Sequence, residues 1–286
     1  MAVTGSTQLV ATKQDLIAAL VQKELKYQAK LLPTITDVSV FAVKGSKSIS
    51  FPKAGSFAVE NRASAASGSL QDLTFSTDTL NIDYRAFVAW SVDSVDEYQS
   101  NVEVQAHYVK MAATAHARNI DELILSQLDT YSGYQQAAGI DQSKILNARK
   151  WLLKNQANVA DCKIVVNADD ESLLLAIPDF VRADAYGFNS QNISTGVIGR
   201  IYGMDVLVHT KPTLAKSFIY SKDAVLFGLQ KGPQYDEQKN ILIGTGAMIA
   251  AVDQCYGLKS ARLTEGLDFA GVALAAGKSP FIAEIG

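Results

Sequence analysis

The chain has 286 residues, 48% of them hydrophobic and 19% charged, with 26 Lys and Arg against 29 Asp and Glu, a formal net charge of -3. That is ample material for one large domain or two and excludes a disordered chain, while the near-balanced charge suggests neither a nucleic-acid groove nor a polybasic membrane patch and leaves partners open. Cys162 and Cys255 are isolated, without CxxC spacing, which argues against a disulfide framework or a zinc site.

Residues 1–11 are small, polar and unpatterned, and 15–32 form the first helical pattern, with Leu16, Leu20, Tyr27 and Leu31 on one side and Pro33 at its end. We read residues 1–33 as an arm whose apolar face needs a partner. Residues 37–43 alternate as a strand, and 44–83 as two extended strands flanking a tip of small and polar residues at 63–69. The second strand continues through Tyr84, Phe87, Val88 and Trp90. A two-stranded ribbon this long is marginal alone in water and is expected to be covered by another chain.

The dominant element is residues 94–133. Val95, Tyr98, Val102, Ala106, Val109, Ala113, Ala117, Ile120, Ile124, Leu128 and Tyr131 recur at steps of three and four, with neither Gly nor Pro until Gly133. Ser94 with Glu97 forms a capping box at its start. The pattern predicts a helix of about 55 Å, too long for one compact core of modest size and therefore a spine.

Past Gly133 the elements shorten. A helix is predicted over 142–156, a buried strand over 162–166, a helix over 171–177 ended by Pro178, and a hairpin of 197–201 and 204–208 joined through Tyr202-Gly203. Strands follow at 218–221 and 224–229, then a polar segment at 230–240, then apolar patterning at 241–252 and 256–263. No repeat or clean linker divides the chain, so interlocked subdomains are expected.

Chemistry is sparse. His107 and His116 fall on opposite sides of the long helix and cannot share a ligand, and His209 ends a strand without a GxSxG nucleophile turn nearby. Asp169, Asp170 and Glu171 open a helix, where capping explains them as well as a divalent cation does. The glycines at 228–232 and 244–246 fit neither a dinucleotide nor a phosphate loop. No catalytic residue, cofactor or metal site is expected. With no run of 18 apolar residues and no signal-like start, the chain is expected to be soluble and made inside the cell.

An arm, a long two-stranded loop, a spine helix, a mixed α/β region and a return strand are the order of parts in tailed-bacteriophage major capsid proteins, and nearly all of the chain resembles them. Val197-Ile198-Gly199-Arg200-Ile201-Tyr202-Gly203-Met204-Asp205-Val206 is similar to that family's Gly-x-Ile-x-Gly-x-x-Val turn, 218–225 to the stretch before its long final strand, and 252–259 to that strand. The resemblance implies an α+β capsid fold with the N-arm at 1–33, a peripheral-domain strand and extended loop at 34–93 (loop 44–83), the spine at 94–140, an axial domain at 141–249 and a return to the peripheral domain at 250–286.

It further implies a virion shell protein, assembled in the host cytoplasm from hexamers and pentamers, enclosing double-stranded DNA without sequence-specific contacts. Since little precedes the arm, a separate scaffolding protein, or none, is implied, with scaffolding, portal and decoration proteins as the partners the resemblance allows. Assembly contacts are expected from Leu16, Leu20 and Tyr27 of the arm and from Phe51, Lys53, Phe57, Arg62, Leu73 and Phe75 of the ribbon. The alternatives are an encapsulin-type cellular shell, an α/β enzyme with its site at 141–249, and a phage tail or adaptor protein.

Overall fold

The computed structural model describes residues 29–54, 59–62, 68, 70, 75–92, 104–137, 139–177, 197–209, 211, 214, 216–240, 247–261 and 277–285. Leu16, Leu20, Tyr27, Phe57 and Leu73 lie outside them, as does the expected Ser94 and Glu97 cap.

Strands β1 (Thr36–Asp37), β2 (Ser48–Ala54), β3 (Phe75–Asn81) and β4 (Tyr84–Val92) precede helix α1 (Val104–Tyr131). Strand β5 (Ser132–Tyr134), helix α2 (Gln142–Lys154), strand β6 (Cys162–Asn167) and helix α3 (Ala168–Leu175) follow. The remaining strands are β7 (Val197–Ile201), β8 (Met204–His209), β9 (Phe218–Ser221), β10 (Val225–Asn240), β11 (Ala247–Ser260) and β12 (Ser279–Glu284). They form a four-stranded sheet β1-β10-β11-β4, a six-stranded sheet β5-β12-β9-β6-β8-β7 and a ribbon β2-β3.

Helix α1 spans 28 described residues, about 42 Å at ~1.5 Å per residue. Val109, Ala113, Ala117, Ile120, Ile124 and Leu128 are buried along one face, as the period required. The upper part of that face meets Tyr235, Ala250 and Val252 of the four-stranded sheet. The lower part joins the main core with β6, β8, β9 and β12. One helix thus closes both sheets.

Four expected elements are corrected. Residues 37–43 are not a strand: only Thr36 and Asp37 pair, with Leu226 and Phe227 of β10, and a 3-10 turn at Ser39–Phe41 follows. The Asp37 carboxylate accepts the Ser39 N–H at 2.9 Å, a turn-forming side-chain bond that competes with the ladder. The strand read as running from 73 through Trp90 breaks at Ile82 and Asp83, leaving β3 in the ribbon and β4 in the four-stranded sheet.

The polar stretch 230–240 belongs to the 16-residue β10, which accommodates Pro233 where the register slips between Lys231 and Gln234. The two apolar patches after it merge, in their described part, into the single strand β11, hydrogen-bonded to β10 on one side and β4 on the other. Strand β10 lies in the same sheet as β4, and the final strand β12 enters the six-stranded sheet between β5 and β9.

One turn was legible in the sequence, and one helix cap was not. Residues Tyr202 (φ 48°) and Gly203 (φ 86°) form the two-residue connection of the β7–β8 hairpin, both left-handed as a type I′ turn demands. Asp141 caps α2 by accepting the Lys144 N–H at 2.8 Å.

The ribbon is not independent at its base. Gly228 and Gly257 are direct partners in the β10–β11 ladder. Together they leave a depression in the sheet face: a Cβ on Gly228 would stand 3.1 Å from Ile49 Cδ1, and one on Gly257 would overlap the Asn81 carbonyl and lie 2.6 Å from Leu80 Cδ2. Ile49 and Leu80 seat there with Val38 and Ile82 as a small separate core. Gly257→Val is therefore expected to lift the ribbon base and destabilise the fold by about 1–3 kcal/mol. A lowered denaturation midpoint together with faster amide hydrogen exchange at Ile49 and Leu80 is the expected readout.

Candidate functional site

Of the expected contact residues, Phe51 is half-buried and meets Phe41 edge-on, with ring centroids 6.4 Å apart. Lys53 and Phe75 are placed by register only, opposite Ser76 and Ala54 near the described end of the ribbon. Arg62 is exposed, with its guanidinium over the backbone of Gly68. The structure brings Phe51, Lys53 and Phe75 onto one ribbon; it does not bring Arg62 to the ribbon's seat.

Residues that the sequence did not single out hold that seat. Lys259 on β11 reaches across to β3, donating to the Asp78 carboxylate and, at 2.6 Å, to the Thr79 carbonyl. The Lys47 carbonyl accepts the Ile82 N–H at 2.9 Å, closing the ribbon at its root. The readable signal was the pair of strand glycines, since Gly inside a strand marks close approach of another backbone.

The end of the arm is held from α1. Asp121 accepts the Leu31 N–H on Oδ1 and the Lys30 N–H on Oδ2, both at 3.1 Å. Leu31 is buried in the main core, and Thr34 shares a hydrogen bond with the buried Tyr220 hydroxyl. Beside the clamp a cavity of about 440 Å³ is lined in part by Arg118, His209 and Lys211. Burial outweighs the two N–H bonds and pushes the Asp121 carboxyl up to about 6.

His116 is buried between α1 and β11, its Nδ1 3.2 Å from Gln254 Nε2, while its own Nε2 and Gln254 Oε1 are unpartnered among the described residues. Burial lowers its pKa from 6.5. His209 is held by the Lys216 carbonyl at 2.9 Å and the Lys211 N–H at 3.3 Å, and burial lowers its pKa too. His107 is exposed.

In the acidic run, Asn167 caps α3, and the buried Asp170 accepts from Ser217 Oγ at 2.6 Å. Among the described residues no three potential ligands group to hold a metal. Cys162 is buried, its thiol pushed up to about 11, and Cys255 is half-buried; both are free thiols. No described helix is long and apolar enough to cross a membrane.

This arrangement of spine, seated ribbon and clamped arm has relatives. A family model for phage capsid proteins matches residues 21–235. The chain belongs to the phage capsid protein family. Capsid proteins are shell components, and this one is a structural protein and not an enzyme.

Its fold is that of solved phage capsids. A Mycobacterium phage Che8 chain superposes with a TM-score of 0.65 at 17% identity, the match covering 89% of each chain. The mature capsid of bacteriophage PhiM1 gives 0.60 at 12%, over 88% of this chain and 84% of that one. The capsid of a native GTA particle gives 0.59 at 12%, over 88% and 91%. No curated protein sequence matches this capsid protein.

Two pH dependences follow from the clamp and the helix joint. A carboxyl whose folded pKa lies near 6 rather than 3.8 binds its proton more tightly in the folded state, so its contribution to stability falls as pH rises from about 4 to 6. Asp121→Asn is expected to flatten that part of the profile in thermal melts. His116 works in the opposite sense: held neutral when folded, it contributes stability above about 6.5 that is lost as pH falls and the unfolded imidazole takes a proton. Its replacement in His116→Gln should reduce the loss of melting temperature between pH 7 and 5.

Proposed function

We propose that this capsid protein is the major shell subunit, assembling through hexamers and pentamers into an icosahedral capsid around double-stranded DNA in the host cytoplasm. The observation that carries the reading is the ribbon. Its root is fixed by a dedicated glycine seat and the Lys259 contacts, while β2 and β3 run on to Ala54 and Phe75 with only each other as ladder partners among the described residues. An isolated two-stranded ribbon gains stability by lying across another subunit, and closed assembly removes its open edges.

On this reading the four-stranded sheet, the ribbon and α1 form the peripheral part, and the six-stranded sheet the axial part. Phe51 and the ribbon positions Lys53 and Phe75 face neighbouring subunits, as do the arm and tip residues Leu16, Leu20, Tyr27, Phe57, Arg62 and Leu73. A net charge of -3 suits a wall that does not bind its DNA tightly. Scaffolding, portal and decoration proteins are its expected partners. The family match supports the phage reading, and no observation favours the encapsulin-type alternative.

Negative-stain microscopy with light-scattering mass, on protein expressed alone and with a neighbouring scaffold, tests the proposal. Round shells hundreds of ångströms across are the expected result. A uniform monomer in both preparations overturns it.

A further inference from the structure

Two neighbouring surface features are opposite in charge. The first is an apolar knob. Val40, Phe41 and Val43 are 90%, 63% and 66% exposed, next to the exposed Lys44 and Lys47.

The knob is held rigidly. Val38 N–H donates to the Phe227 carbonyl at 2.7 Å, Leu229 N–H donates to Ser39 Oγ at 2.8 Å, and Gln230 Nε2 donates to the carbonyls of Val43, at 3.0 Å, and Ser46. Phe41 also packs on Phe51. A loop tied at both ends that still presents three large apolar side chains to water has already lost the conformational entropy that binding would otherwise cost.

The second feature is a cleft of about 750 Å³ lined by Leu32, Pro33 and Ile35 together with Asp37, Asp161 and Asp223, and among its described lining residues only Lys222 is positive. The three carboxylates belong to exposed residues. An apolar projection flanked by two lysines is opposite in sign to a partly apolar hollow that carries three carboxylates. Asp37 ends at the cleft where Ser39 begins the knob, so the two lie side by side on one surface.

We propose that the knob at residues 40–43 seats in the acidic cleft of a second copy of this chain, the two copies exchanging knob for cleft about a twofold axis. Adjacent complementary patches are the geometry of an isologous contact, in which one rotation satisfies both copies at once. Lys44 and Lys47 face the partner's carboxylates, and the contact removes Val40, Phe41 and Val43 from water. The inference rests on the shell reading above.

Charge exchange tests it in protein purified as assembled particles. Lys44→Glu with Lys47→Glu sets like charges against those carboxylates, and Asp161→Lys with Asp223→Lys does the same from the other side. Each pair is expected to lower particle yield tenfold or more, all four together to restore it to within about twofold, and Phe41→Asp to lower it without rescue by any charge change. Melting curves of the unassembled subunits verify folding, and Asp161→Lys with Lys44→Glu repeats the exchange while keeping the Thr36 to Asp223 hydrogen bond.

Parental yield from either charge-reversed pair overturns the contact, as does loss that the combined variant fails to restore, while leaving the shell reading intact. Failure of the unaltered protein to form particles under any of these conditions overturns both.

Discussion

The constraint on which the rest depends is the backbone-to-backbone approach of the ribbon onto the four-stranded sheet. Strand β11 has β10 and β4 on its two edges, so anything added to it must come onto its face. At Gly228 and Gly257 that face has no side chains, and the Asn81 backbone descends into the gap with Leu80 and Ile49. The strand glycines forgo packing and backbone rigidity of their own. What they permit is a ribbon whose direction is fixed at the root while its distal part projects from the body.

Helix α1 plays the corresponding role for the body itself. Small residues, Ala112, Ala113 and Ala117, let the helix lie close to the sheets, and Ile120, Ile124 and Leu128 fill the main core below. Polar groups also lie along the helix: His116 is buried against Gln254, and the half-buried Asp121 holds the arm. Buried polar groups are tolerated when bonded, and those left short of a partner weaken the joint they sit in. The His116 and Gln254 pair retains an unpartnered atom on each side chain among the described residues. The helix is thus held firmly by its apolar half and less firmly where it crosses β11.

The rim of the arm shows how the two sheets are tied. Ala29, Leu31 and Ile35 are buried in the main core, Asp37 pairs with β10, and the next residues turn out to the surface. At the other end of the chain, Glu284 on β12 bonds Ser132 at 3.2 Å and Lys216 at 3.1 Å, fixing the last strand between β5 and β9. Gly133 allows this: a side chain there would overlap the Ser279 carbonyl. Residues near both described ends of the chain therefore stabilise the region that α1 spans.

Periodicity in the sequence was enough to establish the long helix, the ribbon strands, helix α2 and the β7–β8 turn, because each rests on local geometry: a period of 3.6 or 2, and a tight two-residue hairpin connection. The order of those parts pointed to the capsid fold. What it left open were partners. Polar residues 230–240 read only as a polar segment because their strand character comes from pairing with β11 rather than from their own alternation. The stretch after Asp37 looked like a strand because alternation cannot register one side-chain bond to Ser39 that turns the chain. The seat for the ribbon, the Asp121 clamp and the exposed knob arise between residues far apart in the chain, so only the tertiary structure decided them: local pattern specifies which face is apolar, and three-dimensional packing determines what covers it.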